Sequence, residues 1–154
     1  MEKFLDYLEE AERKVQTADH MIYVTFPLIK DKRLFLQILS IINQSVLNCI
    51  NCILQYEYLN KNIALSENSS SNLRTFKEKC AYRYGINDFE LGLVSELIEL
   101  SEKHKKSSME FMRNSKVVII SENMIIDTLS IEKVKEFLEM AKNMLAKAKK
   151  VINY

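Results

Sequence analysis

Tryptophan is absent from this chain of 154 residues, proline occurs once, at Pro27, and glycine twice, at Gly85 and Gly92. Glycine and proline supply the turns of β-rich and loop-rich folds, so their scarcity excludes an all-β or low-complexity chain and leaves long helices. The length suits one domain, 1–154, large enough to bury a core without covalent staples. Charge of one sign is also missing: 22 basic and 21 acidic residues give a net charge of +1. No chain-wide field therefore calls for nucleic acid or anionic lipid, and any basic site must be local.

Disulfides and targeting signals are missing too. Three cysteines are an odd number for a disulfide framework, and the start "MEKFLDYLEEAERK" is charged and amphipathic rather than a signal peptide. The expectation is a cytoplasmic protein with reduced thiols.

Charge itself disappears over residues 34–56, "LFLQILSIINQSVLNCINCILQY". A run of this length could span a bilayer, but Gln37, Ser40, Asn43, Gln44, Ser45, Asn48, Asn51 and Gln55 lie inside it, and unpaired amides are costly in hydrocarbon. A buried central helix is the better reading, with no membrane partner expected.

Around it, periodicity sets the remaining elements. Phe4, Leu8, Ala11, Val15, Ala18, Ile22 and Thr25 mark one face of a helix over about 3–25, ended by Pro27. Asp31 can cap a second helix running to about Asn62, roughly 45 Å long. "SENSSSN" at 66–72 reads as a loop, followed by a short helix ending at Gly85. Asn87 and Glu90 have the form of a capping box opening a fourth helix. "KVVII" and "MIIDTL" around "SEN" predict a β-hairpin at about 116–129. Ser130 can cap a last helix with the face Val134, Leu138, Ala141, Leu145, Ala148 and Ile152, and its late lysines suit the negative end of the helix dipole. The predicted class is mainly α: an antiparallel helical bundle around a long central helix, with a small β-hairpin before the C-terminal helix.

Chemistry-bearing residues are sparse. Cys49 and Cys52 form a C-x-x-C, with Cys80, His20 and His104 as conceivable further ligands, but a mid-helix pair lacks the tight turns of a zinc site and the helix N-terminus of a redox site. Buried thiols, no metal and no cofactor are expected. Neither histidine has an evident nucleophile, and there is no nucleophile elbow, phosphate-binding loop or H-E-x-x-H.

Two patterns are more informative. Gln37, Gln44, Asn48, Asn51 and Gln55 recur at steps of seven, four, three and four, which makes a stripe along the central helix. Such a stripe either fixes neighbouring helices by hydrogen bonds, forms the wetter edge of the helix, or meets a second subunit whose register the amides set. Basic residues gather in "KHKKSSMEFMRNSK": Lys103, Lys105, Lys106, Arg113 and Lys116, with Asn114 between the last two and "YRYG" (Tyr82, Arg83, Tyr84) as candidate stacking partners. Phosphates need such charges and unpaired bases stack on aromatics, so RNA contact is one reading and a solvated helix end the other.

"EFMRNSKVVI", after a long first helix and a long apolar second one, resembles the HEPN superfamily of small helical bundles in prokaryotic toxin–antitoxin and RNA-directed defence systems. The resemblance implies a dimer and an Arg-polar pair, matched by Arg113 and Asn114, that precedes a catalytic His acting on RNA phosphate. Val118 or Ile119 stands where that His would be, so it implies a non-cleaving member. The chain's texture is also similar to that of small archaeal helical proteins. The expectation is a non-catalytic, homodimeric helical interaction module that binds RNA or a protein partner through 103–116. The alternative is a metal-independent ribonuclease in which Arg113 holds the phosphate and His104 or His20 of a second subunit acts as base.

Overall fold

The computed structural model describes residues 2–153 and, at Ser108, the backbone alone. Helix α1 (Lys3–His20) buries Phe4, Leu8, Ala11, Val15 and Ala18, the face its spacing predicts. Beyond His20 the helix widens into a π-type turn over Met21–Thr25, closed by the Phe26 N–H donating to the Met21 carbonyl at 2.7 Å. Ile22 and Phe26 stay buried, while Tyr23, Val24, Leu28 and Ile29 are left outside. Pro27 then breaks the helix, as its missing N–H requires.

Helix α2 (Lys32–Leu59) starts where the Asp31 carboxylate accepts from the Arg33 N–H at 2.7 Å. It is packed by α1, by helices α4 (Asp88–Lys105) and α5 (Ile131–Ile152), and by the stretch 76–80. Phe35, Ile38, Leu39, Ile42, Cys52 and Ile53 have no exposed surface. A helix enclosed on most sides has few positions that can solvate a charge, which accounts for the absence of charge from its buried faces. Among the described residues α2 alone is long and apolar enough to cross a bilayer, with a mean hydropathy of 1.3 over 18 residues, but 61% of that window is buried against protein.

The Ser/Asn run is not wholly a loop. Asn68 accepts from the N–H groups of Ser70 and Ser71 and starts helix α3 (Ser69–Thr75) inside it. The chain continues through a π-type stretch (Phe76–Cys80) and a 3₁₀ turn (Ala81–Tyr84) to Gly85, whose φ of +72° makes the left-handed stop. Asn87 and Glu90 then form the full capping box of α4. Ser130 caps α5 by accepting from the Lys133 N–H at 3.2 Å.

Between α4 and α5 lies an antiparallel sheet in the order β1-β2-β3: β1 (Ser107–Arg113), β2 (Lys116–Ser121) and β3 (Ile126–Leu129). The expected hairpin at 116–129 is the β2-β3 pair. Strand β1 is an addition, joined to β2 by a two-residue turn in which Asn114 and Ser115 both take positive φ, 52° and 64°. That is the geometry a tight hairpin needs. The inner face places Val117, Ile119 and Leu129, all fully buried, on the helices.

The lysines of α5 do more than offset its dipole. Lys142 pairs with Asp19 at 2.6 Å and Lys149 with Glu12 at 2.7 Å, tying α5 to α1. Lys133 pairs with Glu96 at 2.9 Å and Lys147 with Glu90, tying α5 to α4. The architecture is an antiparallel helical bundle around α2 with a small sheet before the C-terminal helix.

Candidate interaction surfaces

Strand β1 divides the basic cluster. Lys103, Lys105 and Lys106 sit at the C-terminus of α4, whereas Arg113, Asn114 and Lys116 sit at the β1-β2 turn. Seven residues of extended chain separate Lys106 from Arg113 by roughly 20 Å. Lys103 is held by Glu99 at 3.0 Å and Asp127 at 3.1 Å, and these two contacts, Glu99 first, raise its pKa above the ordinary lysine value. The Asp127 contact is ionic rather than an aligned hydrogen bond, since that carboxylate oxygen has no hydrogen-bond donor in line with it. Lys105 lies 3.7 Å from Glu102. Lys106, Arg113 and Lys116 are exposed and make no ion pair among the described residues.

The intended stacking partners lie elsewhere. Arg83 donates to the buried Glu57 carboxylate, and the buried Tyr84 hydroxyl donates to the other Glu57 oxygen at 3.4 Å. Tyr82 is exposed and, among the described residues, free of such contacts, whereas Arg83, though partly exposed, is committed to Glu57. Strand β1 is fixed near the opposite end of α2, where Lys32 donates to the Glu110 carbonyl at 3.1 Å. Lys32 and Glu57 are 25 helical residues apart, on the order of 37 Å. "YRYG" and the basic cluster therefore belong to different ends of the bundle.

His104 is also engaged: its Nδ1 meets Glu110 Oε2 at 2.5 Å, joining the end of α4 to β1. His20 is exposed at the end of α1, beside the Asp19–Lys142 pair. Within one chain His104 stands near the start of β1 and Arg113 at its end, so the strand holds them apart. The three thiols are buried, and burial pushes all three pKa values up, Cys52 to about 12 and Cys80 to about 11. Protonated, enclosed thiols are poor nucleophiles and poor ligands. No group of three or more His, Cys, Asp or Glu side chains is placed to hold a metal ion among the described residues.

The amide stripe faces outward. Gln37, Gln44 and Asn51 are exposed, and Asn48 and Gln55 are half-buried. Two of them bond to their own helix: Asn48 donates to the Gln44 carbonyl at 2.8 Å, and Gln44 to Ser40 Oγ at 3.4 Å. No side-chain bond from the row to another helix occurs among the described residues, so within one chain the row is an outward edge of α2 and does not fix the neighbouring helices. Alongside it runs a groove of about 440 Å³ between α2, α3 and α4, lined by Leu47, Asn51, Leu54, Leu73, Ile98 and Glu102 among others.

A further surface, not expected from the sequence patterns, is the outer face of the sheet. Register sets Met109 opposite Ile120 and Ile120 opposite Ile126, and in the next row Phe111 opposite Val118 and Val118 opposite Thr128. Solvent-facing sheet rows are ordinarily polar, yet five of these six side chains are apolar. Ile126 is 65% exposed and Met109 58%. Met124 and Ile125 extend the patch into the β2-β3 turn. The signal was present: apolar Met109 and Phe111 flank Glu110, and "VVII" is apolar at every position, so both sheet faces are apolar. No protein-family model matches this chain, and no curated protein matches it either.

Proposed function

We propose that this protein is a non-catalytic interaction module that pairs with a second copy of itself through the outer face of its sheet. The observation that carries this is the pair of cross-strand apolar rows on the outer face of the sheet, with Met109, Phe111 and Ile126 exposed and Val118 and Ile120 half-buried between them. Their exposed area, with Met124 and Ile125, is several hundred Å², the size at which apolar surface marks an interface, and a stable interface takes roughly 800 Å² from each partner. Charge at the strand ends offers a self-complementary arrangement. Arg113 and Lys116 lie at one end, and Glu122 lies at the other with Lys106 beside it, all exposed. A two-fold axis lying between the faces and perpendicular to the strands sets Arg113 and Lys116 of each copy over Glu122 of the other.

RNA draws less support, because the six cluster residues lie at two ends of β1 and Lys103 and Lys105 already face acids. Light scattering and sedimentation equilibrium over a wide concentration range test the proposal. The parent chain is expected to dimerise, and Phe111→Glu with Ile126→Lys to give a folded monomer of unchanged circular dichroism. A monomer at every concentration, or a dimer indifferent to the double substitution, overturns it. Metal-free cleavage of mixed RNA that is lost in Arg113→Ala would overturn the non-catalytic part.

A further inference from the structure

From a different part of the molecule, we infer that the turn between α1 and α2 docks on the surface of an anionic membrane, with Leu28 and Ile29 entering the headgroup layer. Leu28 is 82% exposed, the most exposed large apolar side chain among the described residues, and Ile29 beside it is 56% exposed. Tyr23 and Val24, one turn earlier, are each about half exposed. Four outward apolar residues within seven positions form a tip at the end of a helical hairpin.

The tip is held in place from beneath. Phe26 is buried and stacks edge-on against Phe35, with ring centroids 5.6 Å apart. The Leu28 and Ile29 N–H groups both donate to the Thr25 carbonyl, at 3.1 and 3.0 Å. Backbone bonds satisfied within the turn and a buried aromatic anchor leave little freedom for Leu28 and Ile29 to fold inward. Their side chains are presented outward at the cost of contact with water.

Along the turn itself the charge is mainly basic. Lys30 and Arg33 are exposed after Ile29, Lys32 between them donates to the Glu110 carbonyl, and Lys135 of α5, with Glu132 and Glu139 one turn to either side, lies 5.3 Å from the centre of the Tyr23 ring. The acid within residues 20–36 is Asp31, which caps α2 and faces Arg33 at 3.8 Å. Apolar side chains collared by lysine and arginine match a bilayer interface, where the aliphatic residues reach the acyl boundary and the cations meet lipid phosphates. Tyr23 has the amphipathic ring that favours the same layer. A second copy would set this collar against itself, whereas an anionic bilayer complements it. The mode is surface attachment: α2 stays enclosed by the bundle, and no segment of the tip crosses the bilayer.

The test uses the intact chain with vesicles of mixed phosphatidylglycerol and phosphatidylcholine, and of phosphatidylcholine alone. Co-sedimentation is expected with the anionic vesicles, weakening about tenfold or more in Leu28→Asp with Ile29→Asp, and weakening with added salt. Both positions are exposed, so circular dichroism and the melting temperature should stay unchanged. Because the chain lacks tryptophan, Leu28→Trp adds a lone indole whose emission should shift to the blue on anionic vesicles. Absence of binding, equal binding to neutral vesicles, binding indifferent to the double substitution, or an indole that stays in water would each overturn the inference.

Discussion

Arg83 closes over Glu57, a carboxylate on the last turns of α2 that is only 2% exposed, and Tyr84 reaches the other oxygen of the same group. The pair fixes the 3₁₀ turn at 81–84 to the central helix. Arg83→Met is expected to destabilise by about 2 kcal/mol, below the 3–5 kcal/mol typical of breaking a buried pair because the Arg83 side chain is 43% exposed. Glu57→Gln with Arg83→Met should recover part of the loss, since it also removes the stranded charge. Urea titrations of the parent, Arg83→Met, Glu57→Gln and the double variant measure the loss and its recovery, and additive losses would show that the two side chains are not coupled.

The same corner predicts alkaline sensitivity. Burial, then neighbouring Glu57, raises the Cys80 thiol to about 11, burial raises Cys52 to about 12, and burial followed by Glu57 pushes the Tyr84 hydroxyl well up. Each group holds its proton in the folded state at a pH where the unfolded chain has released it. Stability is therefore complete below about pH 9, where unfolded thiols begin to titrate, and falls as pH rises toward 11–12, by up to ~1.4 kcal/mol per pH unit for each thiol. Melting temperatures across pH 7–11 should show a plateau and then a decline that is shallower in Cys52→Ala. A curve still flat at the alkaline end would contradict the burial of these groups.

Met124 sits in the β2-β3 turn with φ +61° and is 76% exposed. A side chain there costs about 1–2 kcal/mol in backbone strain, and glycine avoids it at some cost in chain entropy. Met124→Gly should raise stability by about 0.5–1 kcal/mol while weakening self-association, because it deletes an apolar edge of the proposed interface. Thermal melts and sedimentation on one sample separate the two effects. A variant that is both less stable and equally dimeric would deny Met124 either role.

The helices were legible because a buried face leaves its period in the sequence. Leu8, Ala11, Val15 and Ala18 are buried as their spacing requires, and Asp31, Asn87 and Ser130 cap where short polar side chains precede apolar runs. Strand β1 is not legible as an element because charge dominates the composition of Lys103–Lys116 and masks both the apolar Met109 and Phe111 two positions apart and Asn114, a residue that tolerates positive φ. Closeness in sequence then misled: on a helix seven residues span two turns, but along a strand they carry Arg113 roughly 20 Å from Lys106. The amide row is visible in the sequence as a stripe, yet periodicity alone does not tell an enclosed stripe from an open one. What distinguishes them is that α1, α5 and α4 close off the other sides of α2.

If opposite ends of two sheets meet across a two-fold axis, charge reversal at one end should weaken the dimer and reversal at both should restore it. Glu122→Lys would face Arg113 and Lys116 of the other copy with a like charge, and at an exposed rim such a change is worth about 0.5–1 kcal/mol per contact, of which a symmetric dimer has two. Glu122→Lys is thus expected to raise the dimer dissociation constant several-fold to about thirtyfold, most at low salt. Arg113→Glu with Lys116→Glu should do the same, and the triple variant should return toward the parent value. The arrangement with the axis parallel to the strands sets Arg113 near its own symmetry mate instead. In that geometry Arg113→Glu with Lys116→Glu merely exchanges one repulsion for another, and Glu122→Lys gives no rescue, so sedimentation of the three variants decides between the two axes.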